Sequence, residues 1–557
     1  MTKTKFIFMT GGVCSGLGKG TAMAAIGAIL KSAGYSVSVI KFDPYLNIDP
    51  GTMSPYQHGE VFVTDDGYES DLDLGHYERF IDEPLSRLSN LTTGQVYQKV
   101  LADERQGTYL GRTIQVIPHI TSFIKDRLLS AADRTKPDFM LIEIGGTVGD
   151  IEGEPYLEAA RQFHREIGNS NVMFMLLTLL PYLETSGELK TKPTQMAVKE
   201  LHRMGIQPDV ILARADHKIG KDLLEKIALF ADVPKTNAIP CPTLKTIYEV
   251  PLDLDSYKIS ELIYKHFGMK GKAPDLKAWR TLVKRLKNSD NQKMTIALVG
   301  KYTAHGDAYI SVHEALKSAA AYHQAKLQII DIDSEKLEDK TSPEWKKLKT
   351  TDGILVPGGF GGRGIEGKVL AARWARENKI PYLGLCLGMQ IMSIEFGREL
   401  LKTNEVNSTE FDTKTKNAVI HIMPEQRKNL AQKDMGASMR LGAYECRLLA
   451  GTRAYTAYTS KIESAVPVQT KASEVIISER HRHRYEFNND YREQFEKAGF
   501  VFSGVNPEKN LVEIAEIKDH PFMVGTQFHP EFQSRPLRPH PLFRDFVGAC
   551  LGGKGGK

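Results

Sequence analysis

Short runs that are apolar at nearly every position punctuate the first half of the chain: Phe6–Met9, Val37–Ile40, Phe139–Ile144, Val172–Leu177 and Val210–Ala213. A strand with one wet face alternates apolar and polar residues, whereas a strand covered on both faces of a parallel sheet is apolar throughout. These runs predict buried parallel strands, and the stretches between them predict crossover helices, Thr21–Lys31 being the first. A second series starts at Thr295–Val299 and continues through Leu327–Ile330, Gly353–Val356 and Tyr382–Leu385. Between the two, Met269–Lys293 is rich in lysine, carries Pro274 and ends in the polar run Asn288–Gln292. It predicts a linker with one amphipathic helix near Trp279–Leu286. Gly552–Lys557 holds only glycine and lysine and predicts a disordered end. The expected fold is α/β, with two doubly wound domains and mainly parallel sheets. The domains span 1–268 and 294–551, around a linker at 269–293 and before a tail at 552–557.

Composition narrows the class. A chain of 557 residues exceeds what one core organises, which agrees with two domains. The 73 basic and 68 acidic residues nearly cancel, so nothing in the total charge calls for nucleic acid. Cysteines at 14, 241, 386, 446 and 550 form no CxxC pair and leave one over, which predicts reduced thiols rather than a disulfide framework. No signal-peptide pattern opens the chain, and the longest apolar run, Val172–Tyr182, is too short to span a bilayer. The expectation is a cytoplasmic protein that uses no membrane.

The first chemical signal follows the first strand, in Gly11-Gly12-Val13-Cys14-Ser15-Gly16-Leu17-Gly18-Lys19-Gly20-Thr21. Glycines let backbone N–H groups close around phosphate oxygens, the helix N-terminus that follows favours anions, and Lys19 adds a point charge. The spacing from Gly12 to Gly18 is one residue longer than the usual P-loop, and Gly20 stands where Ser or Thr would ligate magnesium. Lys41, at the end of the second strand, points toward the carboxyl-end crevice where such sheets bind ligands.

Magnesium beside phosphates needs oxygen ligands. Glu143 ends a buried apolar run before Gly145-Gly146, where an unpaired carboxylate is costly. In Glu69–His76, alternation sends Asp71 and Asp73 to one face. From spacing alone, a metal site and a solvated loop stand equal there. Lys190-Thr191-Lys192-Pro193-Thr194-Gln195 presents two lysines before a helix whose first turn holds Pro193, which suits a polyphosphate, with a solvated basic loop as the plain alternative.

The second domain carries a sharper pattern. Gly384-Leu385-Cys386-Leu387-Gly388 follows a strand and precedes the helical run Met389–Phe396, the nucleophile-elbow arrangement with cysteine as nucleophile. A helix N-terminus favours the thiolate. Pro357–Gly361 can supply backbone N–H groups for an oxyanion hole. Gln527-Phe528-His529-Pro530-Glu531 puts His529 and Glu531 at i and i+2, on one face if extended, so that His529 can serve as base and Glu531 can orient it. A lone cysteine is most often packing, and the other four are read so. The three pieces together are not.

These motifs resemble known families. The C-terminal half resembles a class I glutamine amidotransferase domain through Pro357–Gly361, Gly384–Gln390 and His529–Glu531. The N-terminal half resembles the P-loop-like synthetase domain of the CTP synthase family through Thr10–Thr21, Lys41–Val63, Asp71–Arg79, Glu143–Glu152 and Lys190–Gln195. Glu479–Tyr485 extends the match, and only the linker, the region from Asn404 to Arg440 and the tail fall outside it. The resemblance implies that ATP, UTP, glutamine and water give ADP, phosphate, CTP and glutamate, by way of UTP phosphorylated at position 4. It implies that Ser15, Gly16, Leu17, Gly18, Lys19, Gly20 and Thr21 cradle ATP, that Lys19 and Lys41 stabilise the phosphoryl group, and that Asp73 and Glu143 hold Mg2+. It assigns UTP and CTP to Ser15, Asp150, Ile151, Glu152, Lys190, Thr191, Lys192, Pro193, Thr194, Gln195 and Lys226. It assigns glutamine to Gly359, Leu387, Gly388, Met389, Gln390, Glu410 and Arg484, around Cys386, His529 and Glu531. Activation by GTP, feedback inhibition by CTP and a homotetramer are also implied. Cys14, Gly16 and Pro242–Lys245 depart from the family pattern, the last where adenine contacts would fall.

The chemistry agrees with such an enzyme. A uracil carbonyl has no leaving group until its oxygen is phosphorylated, and lysines with a metal can neutralise that transfer. The nitrogen must arrive as ammonia, since ammonium has no lone pair, so an enclosed path is expected. Another amidoligase would share the phosphate loop and the triad but not Asp73–Phe80 or Lys190–Gln195. A regulatory protein with a dead site would lack the triad. Arg480-His481-Arg482-His483-Arg484 has no interleaved aromatics and predicts a solvated or ligand-facing loop rather than a nucleic-acid surface.

Overall fold

In the computed structural model, which describes residues 4–53, 58–288, 292–301, 306–422, 439–460, 465–471 and 474–552, Phe6, Ile7, Phe8 and Met9 are almost wholly buried. Their strand, Lys5–Gly11, is the middle of a seven-stranded sheet. The order is Ala238–Pro242, Val210–Ala215, Val172–Leu179, Lys5–Gly11, Phe139–Ile144, Val37–Asp43, Asn90–Thr92. Every neighbouring pair is parallel. The chain order reverses on either side of Lys5–Gly11, so the loops after Gly11 and Ile144 open at one carboxyl-end crevice. The strands outrun their apolar runs at that end and so add Lys41, Asp43 and Thr10, polar residues of the kind a site needs. The two edge strands lacked the apolar signal: Asn90–Thr92 is short and polar, and Ala238–Pro242 holds two prolines, which an edge tolerates.

The second sheet has ten strands: Ala325–Asp333, Gln292–Gly300, Gly353–Val356, Tyr382–Leu385, Met523–Thr526, Val512–Ile517, Phe500–Val505, Arg440–Leu448, Glu474–His483, Val468–Lys471. The first five run parallel and each later neighbour is antiparallel. The doubly wound core thus carries an antiparallel extension that the apolar runs did not announce. Its strands mix charged and apolar residues, as in Glu474–His483. The expectation of a loop at Arg480–Arg484 is corrected here: Arg480, His481 and His483 are buried in that strand, where ion pairs and ring contacts offset their polarity. Within the stretch from Asn404 to Arg440, Val406–Ser408 and Asn417–Ile422 form a small sheet with Tyr485–Phe487.

The chain divides into two units, Met1–Pro50 with His76–Val283, and Gly51–Gly75 with Lys284–Lys557. Gly51–Gly75, expected within the first domain, therefore packs with the second unit. The hairpin Phe62–Val63/Glu69–Ser70 explains why: Phe62 meets the Phe532 ring at 5.1 Å, Arg482 Nε pairs with Glu69 at 2.8 Å, and Arg480 pairs with Asp65. The amphipathic helix expected near Trp279–Leu286 is present. Lys277–Lys287 is a helix whose Trp279 stacks on Phe80 at 5.3 Å. Asp71 and Asp73 do not share a strand face, because Leu72–Ile81 is a helix and Asp71 accepts the Asp73 N–H at its start, 3.1 Å away. The final helix runs Pro541–Gly552, and the rest of the tail lies outside the described residues. Among the described residues no helix is long and apolar enough to cross a membrane.

Between Tyr382–Leu385 and the helix Leu387–Leu401, Cys386 takes φ 51°, ψ −98°. The turn closes only because glycines flank it. A Cβ on Gly388 would stand 2.2 Å from the carbonyl oxygen of Val356, and one on Gly384 2.6 Å from the backbone of Gly388. Gly388→Ala is expected to destabilise the protein by about 1–3 kcal/mol, since backbone rather than a flexible side chain must yield. Gly362→Ala, which meets nothing within 4 Å, should be nearly neutral. Thermal unfolding of the two variants checks the contrast, and equal melting temperatures would refute it.

Candidate functional site

The first-unit crevice is built on the loop after Lys5–Gly11. Val13, Cys14, Ser15 and Gly16 are exposed, and Val13, Gly16 and Gly18 have positive φ, so the loop turns back on itself before the helix Lys19–Ser32. Lys19 is buried and lies over Gly11, its Nζ donating to the Gly146 carbonyl at 2.7 Å. Lys41 and Glu143 are register partners on adjacent strands, both buried at the crevice end. The Lys41 Nζ stands 3.3 Å from Asp43 Oδ1, and the Tyr77 hydroxyl donates to Glu143 Oε2. Asp73 opens its helix and belongs to the second unit. No cluster of three or more His, Cys, Asp or Glu that could hold a metal occurs among the described residues.

Two cavities flank the loop. One, of 510 Å³, is lined by Val13, Thr147–Asp150, Pro193, Met196, Ala197 and Glu200. Asp150 accepts from both the N–H and hydroxyl of Thr147 and so braces that turn, while Ile151 is exposed beside Glu152. Pro193 and Thr194 lie in the first turn of the helix Lys192–Arg203, and Thr194 donates to the Leu179 carbonyl at 3.1 Å, tying that helix to its strand. Gln195 donates to Thr191. Lys190 pairs with Glu188, whose carboxyl is held below its ordinary value by Lys190 first and by the exposed Lys226 as well. The three groups therefore neighbour one another. The other cavity, of 110 Å³, joins Gly16, Leu17, Gly18 and Thr21 to Arg214, Pro242–Leu244 and Thr246–Ile247. Arg214 escaped the sequence reading; it ends the strand Val210–Ala215, a position that could have marked it, and donates to Thr243 at 3.2 Å.

In the second unit, Cys386 lines a cavity of 180 Å³ with Gly358, Gly359, Phe360, Arg482, His529 and Glu531. His529 and Glu531 are not on an extended strand. Pro530–Gln533 is a tight helical turn, and it is that turn which brings Glu531 Oε1 to 2.7 Å from His529 Nδ1. The His529 ring lies flat on Phe532, and a Cβ on Gly358 would stand 2.7 Å from it. Burial opposes a charged imidazole, but the Glu531 carboxylate and the Cys386 sulfur push His529 up to about 10. Glu410 Oε1 accepts the Gly361 N–H at 2.7 Å, and burial raises its carboxyl. Arg484 is buried. Leu387 and Gly388 start the helix, whereas the Met389 side chain packs on Gly525 and faces the core. Gln390 donates to the Tyr485 carbonyl.

Two lysines near the Pro357–Gly361 turn were missed. Lys301 donates to the Phe360 and Gly361 carbonyls, and burial pulls it down to about 8. Lys368 is wholly buried near Gly359, and burial first, then Lys301, drives its amine well below its usual value. A helical lysine one turn past a glycine loop gave no sign in sequence of pointing inward.

Comparison with known proteins accounts for both halves. The family model described as CTP synthase N-terminus matches residues 5–269, and that of glutamine amidotransferase class-I matches 304–549. A CTP synthase of Carboxydothermus hydrogenoformans is 54% identical over 98% of this chain and 99% of its own. One from Caldanaerobacter subterraneus is 55% identical over 98% of each, and one from Rubrobacter xylanophilus 53% identical over 99% of this chain and 96% of its own.

The His529 shift sets a pH dependence. Its folded value lies above the ordinary 6.5, so its stabilising contribution is complete below that pH and disappears as pH rises toward about 10. The melting temperature of the wild type should fall over that window, and His529→Gln should flatten this part of the profile. Parallel profiles for the two proteins would refute the ion-pair geometry.

Proposed function

The chain belongs to the CTP synthase family, glutamine-hydrolysing ligases of pyrimidine biosynthesis, and we propose that its two sites divide that reaction as follows. In the second unit, the Cys386 thiolate attacks the side-chain amide carbon of glutamine. The C–S bond forms, and the oxygen takes the electron pair, stabilised by the N–H groups of Gly359 and Leu387. The C–N bond then breaks, and ammonia leaves with a proton from His529, held in place by Glu531. Water, deprotonated by His529, attacks the thioester, the C–S bond breaks, and glutamate departs with the thiolate restored. Arg484 binds the substrate's carboxylate and Glu410 its ammonium group, while Gly388, Met389 and Gln390 shape the pocket. The observation that carries this reading is the buried Cys386 elbow beside the His529–Glu531 pair at 2.7 Å.

In the first unit, ATP lies on Ser15 to Thr21, with its base toward Pro242–Leu244 in the smaller cavity. UTP lies along Asp150 to Glu152 and Lys190 to Gln195, with Lys226 adding charge at its phosphates. Oxygen 4 of UTP attacks the γ-phosphorus and ADP leaves, with Lys19 and Lys41 neutralising the transferred group. Ammonia then adds at carbon 4, protons are lost, and phosphate departs to give CTP. Glu143, a buried carboxylate partnered by a hydroxyl, is an oxygen donor of the kind magnesium takes. The metal, when bound, supplies charge neutralisation at the phosphates. GTP as activator, CTP as feedback inhibitor, a homotetramer and a cytoplasmic location complete the reading and rest on the family.

Cys386→Ala is expected to abolish glutamine-dependent CTP formation and leave ammonia-dependent synthesis intact. Lys19→Ala should cut synthesis from either nitrogen source by about 100-fold or more while sparing glutamine hydrolysis. UTP-to-CTP absorbance assays with each source decide it, and glutamine hydrolysis surviving in Cys386→Ala would overturn the assignment. UTP and CTP differ only at position 4 of the base, so a site that grips their shared triphosphate cannot separate them there. CTP should raise the UTP needed for half-maximal rate and leave the limiting rate unchanged; a lowered limiting rate at constant half-saturation would place CTP elsewhere.

A further inference from the structure

The sulfur of Cys386 has a polar neighbour that the triad does not use. Gln527, fully buried two residues before His529, places Nε2 3.7 Å from Sγ. Its own N–H is fixed on the Glu513 carbonyl at 2.8 Å, so the side chain leaves a rigid strand end. Which end of the amide faces sulfur follows from its surroundings. The Tyr485 carbonyl can only accept, so Gln390 presents nitrogen to it, at 3.0 Å. That nitrogen also lies 3.3 Å from Gln527 Oε1, which occupies the Gln527 oxygen and leaves its nitrogen on the sulfur.

We propose that Gln527 is a further catalytic residue of glutamine hydrolysis, whose amide N–H donates to Cys386 Sγ and favours the thiolate, with Gln390 locking its orientation. The proposal rests on Cys386 being the nucleophile. A donor to the charged form stabilises that form, and in a dry site a neutral donor does so without adding a charge. The sulfur also carries the electron pair away when the thioester C–S bond breaks, so the same N–H assists its departure. The charged and titratable groups around the sulfur come from other elements. His529 caps the Pro530–Gln533 turn that holds Glu531, and Lys368 lies on the helix Ile365–Glu377. His481 and His483, on Glu474–His483, are kept neutral by burial. The Arg482 carbonyl, 3.8 Å from Sγ, can accept only the thiol proton, so it favours the opposite state.

The test uses the full chain with Cys14, an exposed thiol, changed to serine. Iodoacetamide alkylation of Cys386 is followed by mass spectrometry from pH 5 to 10, beside glutamine- and ammonia-dependent CTP synthesis. Gln527→Met keeps the volume and removes the donor. Its alkylation midpoint should rise by about one pH unit, the tenfold equilibrium change expected for one hydrogen bond to a charged group. Its glutamine-dependent kcat should fall about tenfold, with KM within about twofold and ammonia-dependent synthesis unchanged. Gln527→Glu, which sets an acceptor against the sulfur, should move the midpoint further, and serves alone if the methionine variant does not fold. A midpoint unmoved in the variant measured overturns the proposal, even if activity falls, because packing alone would then explain the loss. Glutamine-dependent synthesis surviving in Cys386→Ala would instead overturn the nucleophile assignment, which keeps the two failures apart.

Discussion

Cys386 sits at φ 51°, ψ −98°, a conformation that a residue with a Cβ adopts only under constraint. Such a backbone costs on the order of 1–3 kcal/mol and persists where its surroundings over-determine it. Here the constraint is the contact of Leu387–Leu401 with its own sheet. The first twelve residues of that helix are buried, and Gly388 and Gly525 let its start lie against the backbone of Gly353–Val356 and Met523–Thr526. Burial of that helix against the sheet thus holds Cys386, itself buried, in its constrained turn. The turn Pro357–Gly361 follows the strand Gly353–Val356, and His529 follows Met523–Thr526.

A second constraint backs the first. The antiparallel half of that sheet buries Arg440 with Glu513 at 2.8 Å, and Glu479 with both Tyr458 and His540. Replacing such pairs by apolar residues is often neutral or stabilising, so stability alone does not explain them. Their location does carry meaning. Glu513 accepts the Gln527 N–H through its backbone while its side chain holds Arg440, and Arg480 accepts the His529 N–H through its own carbonyl. Charged side chains thus pin Val512–Ile517 and Glu474–His483, the two strands that accept the Gln527 and His529 N–H groups, and a slip of either would unpair a buried charge.

What could be read from sequence divides along the same physical line. Continuous apolar runs gave Gly353–Val356 and Tyr382–Leu385 to the residue, because strands buried on both faces leave no other pattern. Glycine spacing gave the elbow, where close backbone approach is the requirement, and the loop before Lys19, where positive φ at Gly16 and Gly18 is. The antiparallel strands hid because their polarity is offset by partners far along the chain, as Arg480 is by Asp65, and no local pattern reports such a pairing. His529 and Glu531 were named correctly as neighbours from a wrong premise, since a tight turn brings i and i+2 carboxylates to a ring as readily as a strand does. Lys301 and Lys368 went unseen because a cation's burial depends on which face of its element the fold covers.

The two sites also differ in how they stand before any substrate arrives, and the difference suits what each would receive. Around Cys386 the partners are in place: Glu531 on His529, Gln390 on Gln527, Glu410 on Gly361. Under the proposed function the amide that reacts at Cys386 is neutral and contributes little field there, so the site must be organised in advance. The phosphate loop is the reverse. Val13 to Gly16 are exposed, and Lys19 is satisfied by the Gly146 carbonyl. That bond to a neutral acceptor is one a polyphosphate can outcompete, because a hydrogen bond between two charged groups is the stronger. Among the described residues Lys19 has no ion pair that would have to be broken before it could turn to a phosphate. A cation buried with a carboxylate would resist the exchange, and it is Lys41, beside Asp43, that has one. Under the proposed function the loop lysine can exchange its carbonyl partner for phosphate, whereas Lys41 stays tied to Asp43 at the end of its strand.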